Sequence, residues 1–120
     1  MKSLHLAVAL VFVIAMSGCR ARVVKIILTN TSAEPIKTII VDYPTATFGK
    51  DTLAPRETYF SLVKPVDKGP IKVRFTDAQG GNHAYESISL EQGDDGSVNI
   101  RLTQTSAETG YDLARLGKKQ

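Results

Sequence analysis

The stretch Ile71-Lys72-Val73-Arg74-Phe75-Thr76 decides the fold class. Its apolar side chains alternate with charged or polar ones. Because successive side chains of a β-strand point to opposite faces of a sheet, this alternation predicts a half-buried strand. The pattern recurs at Val98, Ile100 and Leu102, which alternate with polar residues.

Four further segments are rich in β-branched or aromatic residues and too short for confident helices, which favours strands at 22–29, 36–43, 58–64 and 83–90. Turn residues separate the six segments at a spacing of roughly ten residues. The sequence therefore predicts an all-β fold, a small antiparallel β-sandwich of six to seven strands. A small barrel is the alternative.

The predicted sandwich resembles immunoglobulin-like or transthyretin-like domains in general look, although the Cys-Trp-Cys pattern of antibody domains is absent. Its domain would cover residues 23–103. Alternation within the strands predicts a core of Val24, Ile26, Leu28, Ile39, Val41, Phe60, Leu62, Ile71, Val73, Phe75, Ile88, Leu90, Val98, Ile100 and Leu102.

Residues 104–120 are interpreted as a C-terminal tail. A short helix that docks through Tyr111, Leu113 and Leu116 is the alternative, but two glycines and a basic end favour fraying.

The N-terminus has the three parts of a secretory signal peptide: a basic start at Lys2, an uncharged apolar run over Leu6–Met16, and small residues after it. At ~1.5 Å per residue, a helix over this run spans roughly 17 Å. A bilayer core is about 30 Å thick. The run therefore predicts a signal peptide helix within residues 1–18 rather than a transmembrane span.

Met16-Ser17-Gly18-Cys19 resembles the lipobox of bacterial lipoproteins. The resemblance implies cleavage between Gly18 and Cys19, a diacylglyceryl group on the Cys19 sulfur and an acyl chain on its amine. Arg20 stands where Asp would favour the inner membrane, which implies the outer membrane, facing the periplasm. Cys19 is the single cysteine, so no intramolecular disulfide is expected. The alternative is an ordinary signal peptide with an incidental free cysteine.

Residues 19–22 are then the lipidated cysteine and a short tether with a reach of roughly 10 to 13 Å. Arg20 and Arg22 are expected at the lipid headgroups, where each gains ~1 kcal/mol from anionic lipid.

Simple alternation of strand direction predicts which turns lie away from the membrane. The segment Pro44–Glu57 and the tail would lie near the bilayer, and a short extra strand within Pro44–Glu57 would reverse every later assignment. The turns predicted to point outward are Asn30–Pro35, Pro65–Gly69 and Glu91–Gly96.

Catalytic and metal chemistry find little support in the sequence. His83, the one histidine after residue 18, lacks a Gly-x-Ser-x-Gly nucleophile motif even if it pairs with Asp77. Asp94-Asp95-Gly96 indicates a tight turn rather than a calcium loop. One histidine and one cysteine are too few for an internal structural zinc site. We expect no enzyme, no metal and no cofactor beyond the lipid on Cys19.

Partner chemistry is only partly indicated. Charges are interspersed without a basic block, which argues against nucleic-acid binding. Phe48 and Tyr111, aromatic residues outside the predicted strands, are candidates for a binding surface. The leading hypothesis is a non-catalytic envelope lipoprotein that binds another envelope protein or has a structural role. A small-molecule or glycan binding module is the alternative, and a hydrolase centred on His83 is a third.

Overall fold

The structure is a computed structural model, and it describes residues 22–115. The predicted signal peptide, Cys19 and Arg20 lie outside the described residues. Within residues 22–115 no helix is long and apolar enough to cross a membrane. The predicted all-β fold is confirmed, with strands β1 Val24–Asn30, β2 Ile36–Tyr43, β3 Ala46–Leu53, β4 Thr58–Val63, β5 Gly69–Thr76, β6 Asn82–Leu90, β7 Asp95–Leu102 and β8 Ala107–Ala114.

The eight strands form two four-stranded sheets that pack as a sandwich. One sheet has the order β4-β1-β7-β8 and the other β3-β2-β5-β6. The strand number is thus eight instead of six to seven. All neighbours are antiparallel except β1 and β7, which run parallel with Val24 beside Gly96. Because β1 and β2 lie in opposite sheets, the order differs from the ABED and CFG sheets of immunoglobulin constant-type domains.

The core lies between the sheets and is mostly aliphatic. Each large side chain moved fully out of water contributes about 1.5–3 kcal/mol to the free energy of unfolding. Thirteen of the predicted core residues are buried or partly buried, and the buried hydrophobic set is Val24, Ile26, Leu28, Ile36, Ile39, Val41, Leu53, Val63, Ile71, Val73, Phe75, Leu90, Val98, Ile100, Leu102 and Ala107.

The prediction that Phe60 and Leu62 belong to the core is wrong. Phe60 is 51% and Leu62 61% exposed, whereas Val63 is 4% exposed. Val63 lies opposite the buried Val24 in the β1–β4 register, and residues opposite each other share a face. The segment 58–63 carries apolar residues on both faces, so a period of two cannot decide which face points inward.

Two strands lie where the sequence indicated irregular structure. β3 falls within Pro44–Glu57 and follows β2 through the two residues 44–45. β8 corrects the predicted tail, because Ala107–Ala114 pairs antiparallel with β7 and is no helix. Both are edge strands that bury few side chains. They are strands because their backbones pair with a neighbouring strand, and their sequences show little apolar alternation.

The extra strand β3 reverses the direction of the strands after it. Two of the turns predicted to point away from Arg22, Pro65–Gly69 and Glu91–Gly96, therefore lie at the same end of the sandwich as Arg22. We name this the Arg22 end; it contains residues 44–45, 64–68 and 91–94. The far end contains 31–35, 54–57, 77–81 and 103–106.

Candidate functional site

The side chain of Arg22 fastens the start of the described chain to the sandwich. Its Nε donates to the carbonyl oxygen of Gly93 at 2.6 Å, and its Nη2 donates to that of Ala114 at 3.3 Å. The residue is half-buried. Arg22 was expected at lipid headgroups, but its guanidinium binds two backbone carbonyls of its own domain.

The backbone of the next residue is held as well. Val23 N–H donates to Oδ1 of Asp95 at 3.3 Å, and Gly96 N–H donates to the Val23 carbonyl at 3.1 Å. Gly96 has a φ of 136°, and a Cβ at this position would collide with the carbonyl oxygen of Asp112. Glycine is therefore required where β1, β7 and β8 meet.

Asp94 and Arg115 close the Arg22 end. Asp94 is fully buried; its Oδ2 accepts from Glu91 N–H at 3.0 Å and its Oδ1 accepts from Arg115 Nε at 3.1 Å. Arg115 Nη2 also donates to the Ser89 carbonyl at 2.9 Å. The predicted turn is present, since Asp94 N–H donates to the Glu91 carbonyl at 3.2 Å. Both carboxylate oxygens of Asp94 thus accept protein N–H groups.

A basic loop projects from the same end. Val66 is 48% exposed, and the exposed residues of the same loop are Lys64, Asp67 and Lys68. The Val66 N–H donates to Oγ1 of Thr45 at 2.9 Å, and this bond joins the loop to the turn between β2 and β3. The Arg22 end therefore presents an exposed apolar side chain in a loop with two lysines and one aspartate.

At the far end, His83 and Asp77 organise the turn between β5 and β6. His83 Nε2 lies 2.8 Å from Asp77 Oδ2, while Asp77 Oδ1 accepts from the N–H groups of Gln79 and Gly81 at 2.9 and 2.8 Å. The His83 hydrogen bond, followed by that of Gly81, holds the pKa of Asp77 below its usual range, although burial opposes the shift. The imidazole also stacks on Phe75, with ring centroids 5.2 Å apart.

This arrangement gives His83 a structural partner. Among the hydrogen bonds of residues 22–115, none joins His83 to a serine hydroxyl. The same part of the chain contains no group of three or more His, Cys, Asp or Glu placed to hold a metal ion.

The two aromatic residues proposed as a binding surface lie on different sides of the sandwich. Phe48 belongs to β3, is half-buried and packs between Tyr43 and Tyr59, with ring centroids 6.5 Å from each. Tyr111 belongs to β8 and is 63% exposed. β3 and β8 are edge strands of different sheets, so the structure does not bring the two side chains together.

Two surface features were not predictable from the sequence. A depression of about 380 Å³ lies on the outer face of the β3-β2-β5-β6 sheet beside Thr38, Ile40 and Arg74. The other is the outer face of β4, where Phe60 and Leu62 are exposed. The β2–β5 register shift between Lys37 and Ile40, which lies beside this depression, has no sequence signature. Phe60 and Leu62 were assigned to the core because they are apolar, so their exposure was not predicted.

Ammonium groups flank β4 on both faces. Lys25 Nζ lies 4.2 Å from the centroid of the Phe60 ring, on the outer face of the sheet. Lys50 Nζ lies 5.1 Å from the centroid of the Tyr59 ring, on the inner side. Such cation–π contacts contribute about 0.5–1 kcal/mol each at exposed sites and favour these positions of the ammonium groups.

Comparison with known proteins adds evidence on the fold. No protein family and no curated protein matches the sequence. The structure is similar to the NMR structure of a protein from Eubacterium rectale, with a TM-score of 0.55 and 18% sequence identity. The match covers 79% of this chain and 93% of that chain. At this identity the likeness concerns the fold alone.

Proposed function

We propose that the chain is a bacterial envelope lipoprotein, anchored through lipid on Cys19, whose β-sandwich binds another envelope protein and catalyses no reaction. The lipobox-like residues Met16–Cys19 support the anchor, and the residue after the cysteine, Arg20, supports the outer membrane, facing the periplasm. Two or three acyl chains at ~0.8 kcal/mol per buried methylene make such an anchor effectively permanent.

The observation that carries the proposal is the short distance along the chain between Cys19 and the first residue that is hydrogen-bonded to the sandwich. Arg22 and Val23 are both hydrogen-bonded to the sandwich. Only Arg20 and Ala21 then separate the lipidated residue from the fold, a reach of roughly 10 Å at ~3.3–3.6 Å per residue. The Arg22 end of the sandwich lies against the bilayer, without a stalk, and the far end faces the periplasm.

The distribution of polar groups supports a binding role over a catalytic one. His83 and Asp77 are engaged with each other and with the turn amides. Phe60 and Leu62 are exposed apolar side chains on the outer face of β4, where Lys25 lies over the Phe60 ring and Ile27 lies opposite Phe60. Exposed apolar patches rimmed by polar residues are typical of protein interaction sites.

The test is the fate of Cys19→Ser in the native host. The unchanged protein should sediment with membranes and incorporate labelled palmitate, whereas Cys19→Ser should do neither. Arg20→Asp is the matched variant, because it should keep the label and move to the inner membrane. Membrane association and labelling of Cys19→Ser equal to those of the unchanged protein would refute the anchor.

A further inference from the structure

The free edge of β4 has unpaired backbone groups. β4 pairs with β1 and with no other strand of the described chain. Asn30 N–H donates to the Glu57 carbonyl at 3.0 Å, so the alternation of an antiparallel ladder places the next hydrogen-bonded pairs at Leu28–Tyr59 and Ile26–Ser61. The N–H and C=O groups that point away from β1 therefore belong to Thr58, Phe60 and Leu62.

This edge differs from the other three edges of the sandwich. Natural proteins protect sheet edges with charged residues, proline or bulges. β3 carries Lys50 and Asp51, β6 carries Glu86, and β8 carries Glu108 and Asp112. β4, with the sequence Thr-Tyr-Phe-Ser-Leu-Val, contains neither charge nor proline. It is the edge best suited to accept another strand.

The surroundings of β4 are positively charged. Lys25 lies over Phe60 on one face, and Lys50 lies over Tyr59 on the other. Glu57, the residue before β4, contributes one carboxylate, whose Oε1 accepts from Ala54 N–H at 2.8 Å. An incoming strand would meet free backbone groups, the apolar side chains of Phe60 and Leu62, and two cations.

We infer that β4 takes up an extended segment of a partner protein as an additional strand of its sheet. This deepens the proposed function, on which it rests, by naming the docking surface. The segment carries apolar side chains at alternate positions, which lie beside Phe60 and Leu62 on the outer face. One carboxylate of the segment faces Lys25 on the outer face, and another faces Lys50 on the inner side. Recognition of this kind draws affinity from main-chain hydrogen bonds and specificity from alternate side chains.

A second copy of the chain fits this edge poorly. Two-fold symmetric pairing of identical strands is antiparallel and would place the two Arg22 ends at opposite ends of the dimer. Both Cys19 residues would have to reach one bilayer through two-residue tethers, although a seven-residue strand alone spans ~20 Å. A strand from a different protein carries no such constraint.

The probe is a synthetic peptide with blocked ends that alternates Val and Thr between two terminal Glu residues. It is added to the mature lipidated protein in detergent micelles, and amide hydrogen exchange is followed by NMR. We expect the exchange of the Phe60 and Leu62 amides to slow by roughly tenfold or more. The amide of Tyr111, on the β8 edge, should not change. The same peptide with Lys in place of Glu should bind more weakly at low salt.

Leu62→Lys should abolish binding while the fold is kept, since the side chain is 61% exposed and charge protects edges. Tyr111→Lys, at a similarly exposed position, should bind as the unchanged protein does. Absence of binding at millimolar peptide, protection of the β8 edge instead, or a β4-mediated homodimer would each overturn the inference. The same titration of the Cys19→Ser protein, which carries no lipid, should show the same protection of Phe60 and Leu62, so failure of this inference is distinguishable from failure of the lipid anchor.

Discussion

Arg115 binds the buried carboxylate of Asp94 across 3.1 Å, and this contact ties the residue after the last strand to the turn before β7. The Asp94 side chain is fully buried and that of Arg115 is 32% exposed. The contact also helps to hold the end of β8 beside Arg22, which donates to the carbonyl of Ala114.

Arg115→Ala should therefore lower the free energy of unfolding by about 1–3 kcal/mol, because it leaves one oxygen of a buried carboxylate without a donor. Urea denaturation of the mature chain with Cys19→Ser, which stays free of lipid, measures this loss. Arg101→Ala is the control, since the Arg101–Glu108 ion pair is exposed and should contribute less than ~1 kcal/mol. Equal losses in the two variants would contradict the structural role of Arg115.

Gly96 and Gly110 make a second matched pair. Gly96→Ala should lose about 1–3 kcal/mol from its φ of 136° alone, and more because its Cβ would collide with the Asp112 carbonyl. Gly110→Ala meets no atom within 4 Å and should be tolerated. Thermal unfolding of the two variants checks this. A Gly96→Ala protein as stable as Gly110→Ala would mean that β1, β7 and β8 do not meet as described.

The orientation of β4 can be tested by two neighbouring substitutions. Val63→Ala removes buried methyl groups and should lower the free energy of unfolding by about 1–3 kcal/mol. Leu62→Ala acts on a side chain that is 61% exposed and should change it by less than ~0.5 kcal/mol. The reverse order, measured by urea denaturation, would restore the face assignment that the sequence favoured.

The lowered pKa of Asp77 predicts that the stability of the fold decreases at acidic pH. Its pKa in the folded protein is held below the ordinary 3.8, chiefly by the His83 hydrogen bond. The ionised carboxylate therefore stabilises the fold above the unfolded pKa, and this stabilisation is lost as the pH falls through the lower folded value. Asp77→Asn should be less stable than the unchanged protein near neutral pH, and the gap should narrow below pH 3.8.

The control for Asp77→Asn is Asp112→Asn, which alters an exposed carboxylate in β8. Its difference from the unchanged protein should stay small at every pH in the same set of melts. A constant gap for Asp77→Asn across the acidic range would show that the ionised carboxylate has no special role in the turn.

The strict alternation of β5 and β7 was sufficient to predict the fold class, because both strands place one face in the core. β3 and β8 were missed since each has a single buried residue, Leu53 and Ala107 respectively. Edge strands of this kind depend on hydrogen bonds to a neighbour, and backbone pairing leaves little trace in side-chain patterns. β4 was found as a strand, but its two apolar faces concealed the register.

Contacts in the candidate site could be anticipated from the sequence only where the two residues lie close together along the chain. Asp77 and His83 are six residues apart and were considered together only as parts of a hydrolase site; the structure shows them hydrogen-bonded to each other in a turn. Arg22 binds carbonyls that lie 71 and 92 residues away, and no local pattern indicates such contacts. The expectation for Cys19 concerns residues outside the described range and remains a prediction.

The most direct test of the account concerns which end of the sandwich lies at the bilayer. The chain contains no tryptophan, so a single introduced indole reports its own position without background. Val66→Trp marks the exposed loop at the Arg22 end, and Ala33→Trp marks an exposed position in the turn at the far end. Both proteins are reconstituted, with their lipid, into vesicles that contain brominated phosphatidylcholine, which quenches nearby indoles.

We predict strong quenching of the Val66→Trp protein and little quenching of the Ala33→Trp protein, because strand β1 alone separates the two ends by ~20 Å. Adding Cys19→Ser should remove the quenching of Val66→Trp. Equal quenching at both positions, stronger quenching at position 33, or quenching that survives Cys19→Ser would contradict a sandwich held by its Arg22 end through lipid on Cys19.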